Sequence, residues 1–270
     1  MRVLFAFFIV LSCYIMLLLG LFLKQRELLY FPRQLLPSPA EAGVAEMRVV
    51  SLKTSDGLTL KAWYRRAQTA GYPTILYLHG NAGHIGNRGR SVKPFLNEGY
   101  GVLLVTYRGY SQNPGEPYEE GFYRDGRAAL KFLHDLGIDD QHIILYGESI
   151  GTAVAIHLAS EYQVAALILQ SPFSSLADVA QFHYPYLPAR WLLKDRFDSI
   201  QKITRIQAPT LAIYAENDEI IPPSLSKQLI GMLKTNKQIL SIPNVAHNDL
   251  ESDLAVSFIR QYVNSQRPLR

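Results

Sequence analysis

The chain has 270 residues, 48% of them hydrophobic and 19% charged, with a formal net charge of +4. That is enough for one large α/β domain plus an appendage, and the composition is globular with an apolar lean. No basic block points to nucleic acid, and the one cysteine, Cys13, lies in the N-terminal apolar run, which excludes disulfides and thiol chemistry from the remainder.

Val3 to Leu23 carries no charged residue. A helix of that length spans about 31 Å, close to the hydrocarbon thickness of a bilayer. A cleaved signal peptide would have a shorter apolar core and a small-x-small site before polar sequence, whereas this run ends in Lys24-Gln25-Arg26. Val10-Leu11-Ser12-Cys13 resembles a lipoprotein cleavage box, but the apolar run continues past the cysteine. Residues 1–23 therefore read as a single uncleaved membrane anchor. Arg2 lies on one side and Lys24, Arg26 and Arg33 on the other. The positive-inside rule leans toward a cytoplasmic C-terminal domain, but so few charges do not determine the side.

Residues 24–46 read as a membrane-proximal linker. Its Tyr30 and Phe31 suit either the bilayer interface or packing onto the domain. From Met47 to Asn264 the pattern is that of a folded domain, with 265–270 as a tail. Arg48–Thr54 and Leu58–Arg65 alternate like strands around the turn Ser55-Asp56-Gly57 and predict an antiparallel hairpin. Apolar runs at 74–78, 102–107, 143–146, 165–169, 210–214 and 238–242 predict buried strands. Between them fall predicted helices at 88–97, 121–136, 150–159 and 224–233. A last helix is predicted from Leu250 to Val263, with Asp249 as its N-cap. This alternation calls for a mostly parallel sheet covered by helices on both faces. There is no internal repeat or low-complexity tract. Residues 172–207 break the rhythm. The segment is longer than a connection needs and rich in aromatics and proline (Phe173, Phe182, Tyr184, Tyr186, Trp191, Phe197), as suits a small lid at the carboxyl edge of the sheet.

The chemistry centres on Gly147-Glu148-Ser149-Ile150-Gly151. A strand before it and an alanine-rich helix after it are the setting in which Gly-x-Ser-x-Gly forms a nucleophile elbow. The serine sits on a strained turn, the glycines remove Cβ atoms where strand and helix converge, and the free N–H groups of the helix face a developing negative charge. A nucleophilic serine needs a base, and the base a carboxylate. In this motif's chain order the acid follows the serine and the histidine comes last. Asp218, after the strand at 210–214, fits the acid better than its neighbours Glu216 and Glu219. His247, after the strand at 238–242, fits the base. The backbone N–H groups of Ile150 and Asn81 are the candidate oxyanion donors, and His79 reads as a structural loop former.

Together these residues carry a resemblance. Leu29–Pro32, His79–Gly83 (His-Gly-Asn-Ala-Gly), Tyr107–Tyr110 (Tyr-Arg-Gly-Tyr), Gly147–Gly151, Asn217-Asp218 and His247 stand in the order found in membrane-anchored serine hydrolases of the α/β-hydrolase domain-containing type. The resemblance implies the α/β-hydrolase fold and hydrolysis of esters or thioesters. His84, Ser111 and Asn113 depart from the pattern at positions expected to border the site and affect substrate preference. The expected activity is an acyl-enzyme reaction on an acyl ester or thioester, of apolar acyl groups, with no metal or organic cofactor and with the lipid bilayer as the other partner. Protein partners are not legible. The alternatives are an amidase or peptidase with the same triad and a non-catalytic binding protein on this fold.

Overall fold

The computed structural model describes residues 1–250 and 253–266. In chain order its elements are α1 (Arg2–Leu29), β1 (Phe31–Pro32), β2 (Arg48–Lys53), β3 (Thr59–Arg65), β4 (Thr74–Leu78), β5 (Ala82–Gly83), α2 (Gly89–Asn97), β6 (Gly101–Val105) and α3 (Glu119–Asp135). They continue with β7 (Ile143–Glu148), α4 (Ile150–Ala159), β8 (Ala166–Gln170), α5 (Leu176–His183), α6 (Ala189–Leu192), β9 (Thr210–Ala215), α7 (Pro223–Gly231), β10 (Lys237–Ile242) and α8 (Asp253–Ser265).

Eight strands form one sheet in the order β10-β9-β8-β7-β4-β6-β3-β2. The six from β10 to β6 run parallel, while β2 and β3 form the expected antiparallel hairpin, β3 pairing antiparallel with β6. The inner strands β4, β6, β7, β8 and β9 are buried at every position apart from Glu148, which explains their continuous apolar runs. Successive side chains alternate between faces. Leu76, Leu78, Leu103, Leu145, Leu167 and Leu169 join Phe122 and Leu133 of α3, Val154 and Leu158 of α4 and Leu229 of α7. Ile75, Tyr77, Leu104, Ile144, Tyr146 and Ile168 join Val92 and Phe95 of α2 and Ile259 and Val263 of α8. Helices therefore cover both faces.

The N-terminal segment differs from a plain anchor and linker. α1 is 28 residues long, has no buried residue and is long and apolar enough to cross a membrane. It continues beyond the apolar run to Leu29. Tyr30, with extended backbone, ends it, and Phe31, restricted to extended geometry by Pro32, pairs in parallel with Ala82, as Pro32 does with Gly83. The alternatives for Tyr30 and Phe31 divide between them: Tyr30 is buried edge-on against Phe122, with ring centroids 5.4 Å apart, and Phe31 is exposed.

The 172–207 segment holds α5, α6 and two short 3-10 turns. Its aromatics divide in the same way: Phe173 and Phe197 are core, whereas Phe182, Tyr184, Tyr186 and Trp191 face outward. At the C-terminus the last helix is described from Asp253 to Ser265. Asp249 lies in a 3-10 turn with His247 and is not its N-cap. Residues 251–252, within the expected helix, and 267–270, within the expected tail, lie outside the described residues.

Candidate active site

β7 delivers Ser149 to the carboxyl edge of the sheet with φ 51° and ψ −119°, a conformation that strains any non-glycine residue. The neighbouring glycines make that turn possible. A Cβ on Gly147 would stand 2.5 Å from the Gly151 carbonyl oxygen, and one on Gly151 would stand 2.1 Å from the Leu78 carbonyl oxygen. The turn is also held by its own backbone. Ser149 N–H donates to Gln170 O at 2.8 Å, and the N–H and hydroxyl of Thr152 donate to Ser149 O at 2.8 and 2.6 Å. Ile150 opens α4, so its N–H is among the first four of the helix, which have no intrahelical acceptor.

β9 and β10, on the far side of β8, end at the same edge. His247 Nδ1 lies 2.7 Å from Asp218 Oδ2, so Nδ1 carries the donated proton and Nε2 is left as the basic nitrogen. Asp218 is buried. Its Oδ1 accepts the N–H groups of Ile220 and Ile221 at 2.9 and 2.6 Å, and Ser171 Oγ donates to its Oδ2 at 3.3 Å. The rival carboxylates are both exposed, and Glu219 accepts the backbone N–H of His247, at 3.1 Å. Nothing in the sequence singles out Ser171, although its φ of 54° marks a second strained serine at the adjacent strand end.

Asn81 follows β4, and two groups hold it. Its side-chain amide donates to Leu29 O at 2.5 Å, and the Tyr110 hydroxyl donates to its backbone carbonyl at 2.6 Å and its side-chain oxygen at 3.0 Å. The β1–β5 pairing begins at the next residue. The candidate oxyanion loop is thus tied to the end of α1 and to the Tyr107–Tyr110 segment.

His79 is buried between Tyr107 and Tyr110, and its Nδ1–H donates to Gly80 O at 2.6 Å. Burial, with Arg88 nearby, lowers its pKa to about 4, which keeps the ring neutral in accord with a structural role. Behind the elbow Glu148 forms a forked ion pair with Arg88 at 2.8 and 3.1 Å and accepts from the Tyr77 hydroxyl at 3.0 Å. Arg88 holds the Glu148 carboxyl below its usual range against the opposing effect of burial.

Two of the departures expected to border the site are instead buried fasteners. Ser111 Oγ accepts Ile85 N–H at 3.0 Å. Asn113 bridges to β3, accepting Lys61 N–H at 2.8 Å and donating to Thr106 O at 3.0 Å. His84 caps the 3-10 turn that leads into α2. Among the described residues no group of His, Cys, Asp or Glu is arranged to hold a metal ion.

Comparison with known proteins gives a consistent picture. A family model described as serine aminopeptidase S33 matches residues 72–202. An uncharacterized protein of Mycobacterium tuberculosis is 39% identical over 246 residues, covering 89% of this chain and 87% of its own. Alpha/beta hydrolase domain-containing protein 17C of Xenopus tropicalis is 30% identical, with coverage of 82% and 71%. Among solved structures, an esterase of Pyrococcus furiosus superposes with a TM-score of 0.70 at 19% identity, covering 89% of this chain and 98% of that one.

Proposed function

The chain belongs to the α/β-hydrolase domain-containing family, and from that premise we propose that it is a membrane-anchored serine hydrolase of carboxylic esters or thioesters of apolar acyl groups. The observation that carries this reading is the 2.7 Å contact of His247 Nδ1 with buried Asp218, at the same sheet edge as a serine held at φ 51° on the N-terminus of a helix.

In the first half-reaction the Ser149 hydroxyl attacks the acyl carbon while His247 Nε2 takes its proton. Asp218 accepts from Nδ1–H, holds the imidazole in that tautomer and stabilises the imidazolium. The N–H groups of Ile150 and Asn81 receive the oxyanion, each worth about 100- to 1000-fold in rate. The imidazolium then protonates the leaving alcohol or thiol. In the second half a water, deprotonated by His247, clears the acyl-enzyme. α1 provides the single-pass anchor. A second reading, cleavage of amides by the same residues, draws on the description of the matching family model as a serine aminopeptidase.

Labelling with a small fluorophosphonate tests the assignment. The wild type labels, whereas Ser149→Ala and His247→Ala do not; equal labelling of all three removes it. Turnover of an ester, a thioester and an anilide of one acyl group then separates the two readings.

A further inference from the structure

Between α1 and the α5–α6 segment lies a cavity of about 380 Å³. Its walls are apolar: Leu21, Phe22 and Leu28 on the helix, Tyr184, Leu187 and Leu192 opposite. The volume is at the lower end of the roughly 300–1,000 Å³ typical of ligand pockets. Polar contacts fasten the two walls without filling the space. Gln25 Nε2 donates to Leu192 O at 3.4 Å, and Gln25 Oε1 accepts Lys194 N–H at 2.7 Å.

Two observations show where the cavity leads. Leu21 and Phe22, which line the cavity, are among the last residues of the apolar run that ends at Leu23. Tyr14 OH donates to Tyr186 O at 2.8 Å, so the segment also grips α1 within that run. At the opposite end, Leu29 both lines the cavity and accepts the Asn81 side-chain amide through its carbonyl. One end of the cavity thus lies at the end of the apolar run and the other abuts the candidate oxyanion loop.

We propose that this cavity is the acyl-chain subsite of Ser149 and takes a single acyl chain directly from the bilayer, with the anchor helix as one wall of the substrate site. This rests on the serine-hydrolase reading above. The apolar lining selects hydrocarbon over a polar alcohol moiety, and the position beside Leu29 lets the carboxyl end of the chain reach the loop at Asn81. The anchor then has two roles, attachment and specificity.

The test uses the full chain in phosphatidylcholine nanodiscs whose acyl chains end in a diazirine. Photolabelling is expected on the peptide carrying Ala180, Leu187 and Leu192, and is expected to be lost in Leu187→Trp, which fills the cavity. Label confined to α1, or crosslinks between two copies of the chain, overturns the proposal. Water-soluble esters of graded acyl length give the second readout. In the wild type kcat/KM rises by up to about fourfold per added methylene, and in Leu187→Trp the rise flattens. The same slope in both proteins also overturns it. If Leu187→Trp does not fold, Ala180→Phe, which narrows the same cavity from another lining position, takes its place in both readouts. Small-fluorophosphonate labelling separates the two readings. Its absence from the wild type removes the hydrolase assignment, whereas normal labelling without acyl photolabel on Leu187 removes only the subsite.

Discussion

Gly151 shows how little freedom the elbow has. A methyl group there would meet the Leu78 carbonyl at 2.1 Å, and that carbonyl belongs to the central strand β4, which pairs on both sides. Gly151→Ala is therefore expected to cost about 3 kcal/mol, in the range of strongly overpacked sites. A fall in the thermal midpoint accompanied by lost labelling checks it. Asp218→Asn acts on chemistry rather than packing. The imidazole loses the carboxylate that holds its tautomer, and kcat is expected to fall by about four orders of magnitude with the fold intact. Glu219 does not compensate, because it is exposed and bonds the backbone of His247 rather than its ring. His79 gives a pH dependence with a definite sign. In the unfolded chain it takes up a proton near pH 6.5, while burial in the folded state lowers its pKa to about 4. Between those values the unfolded chain binds the proton and the folded one does not. Its contribution is complete above pH 6.5 and is lost on acidification, by about 3 kcal/mol at pH 4. His79→Asn, which keeps a donor near Gly80 O, is expected to flatten that part of the profile of thermal midpoint against pH.

At the level of elements, the most consequential ties are those between the N-terminal segment and the remainder. Asp195, buried after α6, accepts Arg26 at 2.9 and 3.1 Å, the Tyr30 hydroxyl at 3.2 Å and Glu119 N–H at 3.2 Å. It thereby joins α1, α3 and the 172–207 segment. Asp195→Ala leaves these donors without it. Because the Arg26 side chain is 44% exposed, the expected cost is about 2 kcal/mol, below that of a fully buried pair. Thermal unfolding of the variant measures it. None of this was legible in the sequence, because Arg26 and Asp195 are 169 positions apart and neither belongs to a motif. The strands were legible because the inner ones are buried on both faces and leave continuous apolar runs, and the elbow was legible because its constraints are local. Asp249 was misread as a helix N-cap, since it shares a 3-10 turn with His247. Ser111 and Asn113 were misread for a related reason: a polar residue in a loop looks the same in sequence whether it faces substrate or fastens one strand to another.

On the scale of the whole molecule the question is how much of the site belongs to the N-terminus. A simple anchor would be separable, and its removal would release an enzyme of unchanged kinetics. Here the dependence is graded along the chain. Residues 24–33 contain Leu29 and β1, which hold the candidate oxyanion loop through Asn81, Ala82 and Gly83, and Arg26 and Tyr30, which hold Asp195. Residues 2–23 contribute Leu21 and Phe22 to the apolar cavity, whereas the ties to that loop come from Leu29 and β1. A chain beginning at Lys24 is therefore expected to hydrolyse short soluble esters at close to the full-length rate. Its preference for long acyl groups is expected to be lost along with that cavity wall. A chain beginning at Gln34 also lacks the Leu29 carbonyl and the β1 strand. It is expected to fall by about 100-fold or more on every ester, the loss associated with one misplaced oxyanion donor. Measuring kcat/KM against acyl length for the three chains distinguishes these cases. Identical profiles for full-length protein and both truncations would mean that α1 and β1 only tether the enzyme, whereas the graded loss makes the anchor part of the active site.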